Sequence, residues 1–237
     1  MTPICERIRQ ISEHIAAVAQ RAGREPGLVR LMAVSKTVPP ELVRAAMDCG
    51  QTLFGENYLQ EAQEKIPRLG HGASWHFIGH LQSNKCRDIA ALFDTVESVD
   101  RLKPARRLDE AAAALGRGLN ILVQVNIGEE PQKAGVMPQE TGMLLEAIRS
   151  ACPHLHCLGL MALPPHFDDP EASRPYFRML REMGKEYAQR ELFSNNQQVE
   201  LSMGMSGDYE AAIEEGATIV RVGTAIFGAR PPKGAER

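Results

Sequence analysis

The chain has 237 residues, 43% of them hydrophobic and 24% charged, with a net charge of −3, a composition that supports a sizeable folded core and excludes a fibrous or disordered chain. With a pI near 6.2 the protein lacks the broad basic surface that nucleic acid or an anionic membrane requires, and no apolar run is long enough to span a bilayer. The five cysteines, Cys5, Cys49, Cys86, Cys152 and Cys157, are scattered and odd in number, which argues against a disulfide framework and for a reducing, cytoplasmic setting.

The first segment reads as an amphipathic helix, not a signal peptide. Ile4, Ile8, Ile11, Ile15 and Val18 recur every three or four residues behind Thr2 and Pro3, a pair suited to a helix start. The stretch from Gly23 to Gly27 ends it. From there short apolar runs alternate with helical patterns. Strands are predicted at 29–35, 52–55, 75–78, 94–97, 121–126, 155–161, 199–202 and 219–222. Between them, Leu42, Val43, Ala46 and Met47 mark one helix, and a Leu- and Ala-rich stretch behind Asp100 marks another. Met143, Leu144, Ala147 and Ile148 mark a third, and Tyr176, Phe177, Leu180, Met183 and Tyr187 a fourth. Shorter helical pieces follow Asn57, Ser83 and Gly207.

This alternation implies an α/β fold with a parallel sheet and crossover helices. Eight such units close into a single (β/α)8 TIM barrel, here with an extra N-terminal helix, as one domain over residues 1–237 with a frayed tail at 231–237. The competing open sheet would carry a dinucleotide fingerprint, and no Gly-x-Gly-x-x-Gly follows the first strand.

A barrel places its chemistry at the C-terminal ends of its strands. Lys36 stands out there: of seven lysines it alone directly follows an apolar strand. Burial favours a neutral amine, which makes such a lysine a Schiff-base nucleophile; the other reading is a surface lysine that snorkels to solvent. Ser206 and Gly207 after strand seven, with Gly223 and Thr224 after strand eight, form a donor-rich pair of loops where barrels often build phosphate sites, or else a turn and a capped helix. Arg221, inside strand eight, needs a partner: an internal ion pair with Glu56 or Glu97, or a ligand heteroatom to which it donates. The run Cys152-Pro153-His154-Leu155-His156-Cys157 fits no common zinc spacing, and no metal site is expected. His76 and His80 read as core or rim residues, and Glu129-Glu130 with Lys133 as a solvated loop.

Several segments together resemble the pyridoxal-phosphate homeostasis protein family: Ala33-Val34-Ser35-Lys36, the run Phe54-Gly55-Glu56-Asn57-Tyr58-Leu59-Gln60-Glu61, Trp75-His76-Phe77-Ile78-Gly79-His80, Gly159-Leu160-Met161-Ala162, Leu201-Ser202-Met203-Gly204-Met205-Ser206 and Arg221-Val222-Gly223-Thr224. The resemblance implies a barrel like that of alanine racemase and pyridoxal 5'-phosphate (PLP) as cofactor. It implies that Lys36 forms the Schiff base, that Ser206, Gly223 and Thr224 hold the phosphate, and that Met205 and Asn57 lie near the cofactor. Arg221 would face the pyridine nitrogen, and Lys133 would be a secondary cofactor contact. An arginine at the ring nitrogen weakens PLP as an electron sink, so the function expected is a non-catalytic PLP-binding protein that buffers or delivers the cofactor to PLP-dependent apo-enzymes. Composition adds a cytoplasmic setting with neither nucleic acid nor membrane as partner, and with no dimerisation element visible a monomer is expected. The rival is an amino-acid racemase, which needs a second base that alanine racemases take from a further domain; here the chain stops soon after strand eight. A Schiff-base aldolase is a third reading.

Overall fold

The computed structural model describes residues 2–228; the tail expected at 231–237 lies outside them. Helix α1 (Pro3–Arg21) leads into an alternation of β1 (Arg30–Val34), α2 (Pro40–Asp48), β2 (Leu53–Glu56), α3 (Leu59–Leu69), β3 (Ser74–Phe77), α4 (Cys86–Leu92), β4 (Thr95–Val99) and α5 (Leu102–Ala114). The second half continues with β5 (Leu119–Val125), α6 (Thr141–Ala151), β6 (Leu155–Ala162), α7 (Arg174–Gln189), β7 (Glu200–Met205), α8 (Tyr209–Glu214), β8 (Ile219–Val222) and α9 (Thr224–Phe227). The eight strands pair in chain order into a closed barrel, and β8 returns to β1 in parallel, with Met32 opposite Arg221.

Successive side chains on a strand point to opposite faces, and this alternation sorts the core. Outward residues such as Phe54, Trp75, Phe77, Val96, Ile121, Leu160, Leu201 and Val220 form one continuous cluster with the helices. Within it Phe54 stacks on Trp75 at 5.1 Å between ring centroids, and Phe77 meets Phe93 edge-on. Inward residues behave differently. Met32, Leu53 and Ile219 make a small separate cluster that floors the barrel interior, with Ile78 packed on it. Gly55 leaves the space this floor needs, since a Cβ there would sit 2.6 Å from Met32 Sδ. Above the floor the interior is polar.

All eight predicted strands are present, with one informative difference. Strand seven was expected to end at residue 202, and it runs to Met205. Gly204 carries φ +88° within a stretch where the β7–β8 register shifts. A side chain at 204 would strike Ala212 and Tyr209 of the helix that follows. The glycine therefore marks a bulge inside a strand, where a sequence reading sees a loop.

Helix α1 starts as its sequence directs, with the Thr2 hydroxyl accepting the Cys5 N–H at 3.4 Å and proline in its first turn. Its buried face, Ile4, Ile8, Ile15, Val18 and Ala19, covers the outside of the barrel against α2, α8 and α9. Here the cysteine reading needs correction. Cys5 on α1 and Cys49 at the end of α2 form a disulfide, with their Cα atoms 5.2 Å apart. The count and spacing of cysteines do not reveal which helix faces meet, and the crossing of α1 over α2 brings together residues 44 apart in sequence. Cys86, Cys152 and Cys157 are free and buried. Burial pushes their thiols up to about 11, 11 and 12, which makes them inert core residues.

Gly159 on β6 marks the closest approach in the sheet: a Cβ there would overlap the Glu200 carbonyl oxygen. Gly159→Ala is expected to destabilise the barrel by about 1–3 kcal/mol through overpacking, read as a lower urea midpoint with an unchanged slope. An unchanged midpoint would mean that β6 and β7 can part without cost.

Candidate functional site

The C-terminal ends of the strands surround one cavity of about 740 Å³, within the range of small-molecule sites. Lys36, Asn57, Lys133, Met205, Ser206, Gly207, Arg221, Gly223 and Thr224, the residues singled out in the sequence, all line it. Strand alternation explains much of the convergence. Val34 and Lys36 follow the inward face of Met32, Asn57 that of Gly55, and Gly223 that of Arg221. Lys36 is half-buried just past β1, a strand that pairs with β8. Asn57 lines the same space, and its Oδ1 is buried with no hydrogen-bond partner in the protein. A buried acceptor left open costs free energy unless a ligand or water supplies the donor.

Arg221 forms the inner wall, only 4% exposed. One terminal nitrogen donates to the Ser202 carbonyl oxygen and to Ser202 Oγ, both at 2.7 Å. The other donates to the Ala162 carbonyl oxygen at 2.9 Å. Ser202 passes the contact on: its hydroxyl donates to Glu97 Oε2 at 2.6 Å, while His76 Nδ1 lies 2.6 Å from Glu97 Oε1. Glu97 is fully buried. Burial alone would raise its carboxyl, but the His76 hydrogen bond and charge, the Arg221 charge and the Ser202 hydroxyl together bring it below its ordinary value. Burial depresses the Arg221 guanidinium, and Glu97 and Asp208 oppose that; arginine's high intrinsic basicity keeps it a donor-only cation. Glu97 is therefore the charge partner, through one intervening hydroxyl.

The alternative partner, Glu56, is corrected by the same alternation. It lies on the outward face of β2, where its Oε1 accepts from Ser35 Oγ and from Lys65 Nζ, each at 2.7 Å. Burial drives its carboxyl above the ordinary range, and Lys65 and Ser35 counteract this.

After β7 and β8 the wall is built mostly from short residues. The bulge at Gly204 turns Met205, Ser206 and Gly207 toward the cavity, and the Asp208 carboxylate pins this turn by accepting the Met205 N–H at 2.7 Å. Next to it Gly223 caps α9, whose first N–H groups have no acceptor within the helix. The exposed hydroxyls of Ser206 and Thr224 flank them.

Lys133 arrives from a loop that is not simply solvated. The loop is pinned by Asn126 N–H to Val136 O and Val136 N–H to Gln124 O, both 2.9 Å. Asn126 Nδ2 donates to the Glu130 carbonyl oxygen, also at 2.9 Å. Lys133 Nζ pairs with Glu130 at 2.5 Å and donates to the Pro164 carbonyl oxygen at 3.0 Å. The segment after β6, with Pro164, His166, Phe167 and Asp168, completes the rim. The signal for this segment in the sequence is its place after a strand's C-terminal end. His76 is a core residue and His80 is exposed. His154 sits at the opposite end of the barrel, its Nδ1 3.3 Å from Asp109. Among the described residues no group of His, Cys, Asp and Glu is arranged to hold a metal.

The family model for the alanine racemase N-terminal domain matches residues 7–231. A pyridoxal phosphate homeostasis protein from Pseudomonas aeruginosa is 47% identical over 232 residues, covering 97% of each chain. The structure of PipY from Synechococcus elongatus, solved with PLP bound, superposes with a TM-score of 0.80 at 36% identity over 95% of this chain and all of that one. Alanine racemase from Corynebacterium glutamicum shares the fold at 20% identity and a TM-score of 0.64, over 96% of this chain and 62% of that one.

The buried chain of charges makes a direct prediction. Glu97→Gln keeps the size and polarity of the side chain but leaves the guanidinium without its counter-charge. It should cost about 3–5 kcal/mol at neutral pH, measured by urea unfolding. A carboxylate whose native value is lowered stabilises above its unfolded value and loses that contribution as pH falls through the native one. The gap between the two proteins should therefore narrow as pH falls through that lowered native value. Equal stability at pH 7 would locate the compensation of Arg221 elsewhere.

Proposed function

The chain belongs to the pyridoxal phosphate homeostasis protein family, and from that premise we propose that it binds PLP reversibly through Lys36 and buffers or delivers the cofactor without converting a substrate. When bound, PLP supplies an aldehyde that condenses with a neutral lysine amine with loss of one water, a linkage that hydrolysis reverses. The residues present fit such a group. Lys36 stands at one side of the cavity as the amine. Ser206, Gly207, Gly223 and Thr224 offer hydroxyl and backbone donors suited to a phosphate. Met205 would give the ring an apolar contact, the buried Asn57 Oδ1 would accept a ligand donor, and Arg221 would face the ring nitrogen. Lys133 would serve as a secondary contact on the rim.

The observation that carries this reading is the convergence on one cavity of a lysine after β1, an unsatisfied amide oxygen and a donor-rich corner after β7 and β8. The same site supports binding over turnover. A ring nitrogen met by a proton-donating acid makes PLP a strong electron sink. Arg221 would donate without giving up its proton, which would leave the sink weak. Its guanidinium is locked by the Ser202 and Ala162 carbonyl oxygens and cannot be swapped for another partner. The rim residues Met205, Ser206, Thr224, His166 and Asp168 are exposed, and an open rim admits the water that carbanion chemistry must exclude. The same openness suits exchange with PLP-dependent apo-enzymes. The reading includes a monomer acting in the cytoplasm; no helix among the described residues is long and apolar enough to cross a membrane.

Adding PLP to the purified protein should produce a visible absorption band, and borohydride reduction followed by peptide mass spectrometry should place the added mass on Lys36. Lys36→Ala should stay folded and lose the band. Added mass on Lys133 with Lys36 unmodified would overturn the assignment. In a panel of amino acids, racemisation at about 1 s⁻¹ or faster, an ordinary enzymatic rate, would replace the carrier reading with an enzyme.

A further inference from the structure

Lys65 is a buried cation that the proposed site does not use. It sits on α3, outside the barrel wall, and is 4% exposed. An ammonium is costly to bury, and an ion pair in such a place is seldom better for stability than an apolar pair. Its contacts are specific. Nζ donates to the Ser35 carbonyl oxygen and to Glu56 Oε1, both at 2.7 Å, and Ser35 Oγ donates to the same Glu56 oxygen. One turn earlier on the same helix, Glu61 Oε2 accepts the Thr37 N–H at 2.7 Å and lies 3.8 Å from Lys65 Nζ. The bonds therefore grip the residue before Lys36 and the residue after it.

The gripped segment is under strain. Thr37 has φ +59°, a left-handed conformation that a β-branched residue adopts only when its surroundings enforce it. Its Oγ1 is buried with no partner. Released from α3, the chain at 35–37 would relax toward extended backbone and carry the Lys36 side chain away from the direction it now takes. Glu56 and Lys65 lie behind the sheet, so neither reaches the cavity and neither contacts a ligand there.

We propose that Lys65, with Glu61, is a positioning residue: the two clamp the strained corner on either side of Lys36 and so aim its amine into the cavity. This rests on the reading of Lys36 given above. The test separates aiming from folding by using two ligands. PLP reports the covalent step at Lys36, whereas pyridoxamine 5'-phosphate, with an amine in place of the aldehyde, reports the remaining contacts alone. In Lys65→Met, covalent loading by PLP should weaken about tenfold or more, as expected when a reacting group is displaced by a fraction of an ångström to an ångström. Affinity for pyridoxamine 5'-phosphate should stay within about twofold, since its partners are untouched. Glu61 is one-third exposed, so Glu61→Ala will fold even where Lys65→Met does not, and it should show the same split in weaker form. Loading at the wild-type level in Glu61→Ala, or a parallel loss of both ligands in Lys65→Met, would overturn the clamp. A wild-type protein that takes up neither ligand would instead overturn the reading of the cavity, and the clamp with it.

Discussion

A guanidinium enclosed by eight parallel strands sets the terms for the rest of the molecule. Arg221 is sheltered from water, and a buried charge is tolerated only when its hydrogen bonds and its counter-charge are both provided. The carbonyl oxygens it uses belong to β6 and β7, so three neighbouring strands must hold their register for the donor geometry to exist. The counter-charge comes from β4, on the far side of the interior, by way of Ser202, and His76 on β3 fixes the second oxygen of that carboxylate. Strands from most of the circumference thus meet at one polar layer. The apolar floor beneath it is small because the layer above is occupied by charges that need one another.

The same alternation that brings Arg221 inward sends another acid outward. Glu56 and Glu97 are both wholly buried, yet they lie on opposite faces of the sheet. One neutralises the guanidinium inside the barrel, and the other pairs with Lys65 behind it. If both acids faced inward, two carboxylates would share one guanidinium, and the helix side would bury a lone ammonium. The separation gives each cation its own acid. It also holds the cavity from two directions, with the Arg221 layer supporting its base and the α3 contacts supporting the Lys36 corner.

Much of this was legible in the sequence, for identifiable reasons. Apolar runs with turn residues between them gave the eight strands, and the rule that barrels work at strand ends pointed to Lys36, Ser206, Gly223 and Thr224. Met205, Asn57 and Lys133 came from motif resemblance, since neither their type nor their spacing marks them. What stayed hidden depends on direction and contact between distant segments. Sequence could not decide between Glu56 and Glu97, because the facing of a strand residue is fixed only once register is known. The Cys5–Cys49 bridge depends on how α1 crosses α2. The extension of β7 depends on Gly204 adopting a positive φ that reads, locally, as a turn. The role of Lys65 was invisible because a lysine inside a polar helix looks like any solvated one; only the tertiary contact shows that it is buried.

Likeness of fold to alanine racemase at 20% identity says what shape the chain takes and leaves the chemistry to the site. Three features of that site belong together. Its base is rigid, because Arg221 is fixed by backbone oxygens that cannot rotate away. Its Lys36 corner is held under strain by contacts from α3, the contacts proposed to aim the amine. Its rim is exposed, so water reaches whatever is held there. On the proposed reading, rigid aim would favour capture, a donor-only contact at the ring would discourage electron withdrawal, and access to water would favour release by hydrolysis. These properties support the reading proposed for the cavity: capture of an aldehyde, little activation of it, and release again, which is the behaviour a cofactor reservoir requires.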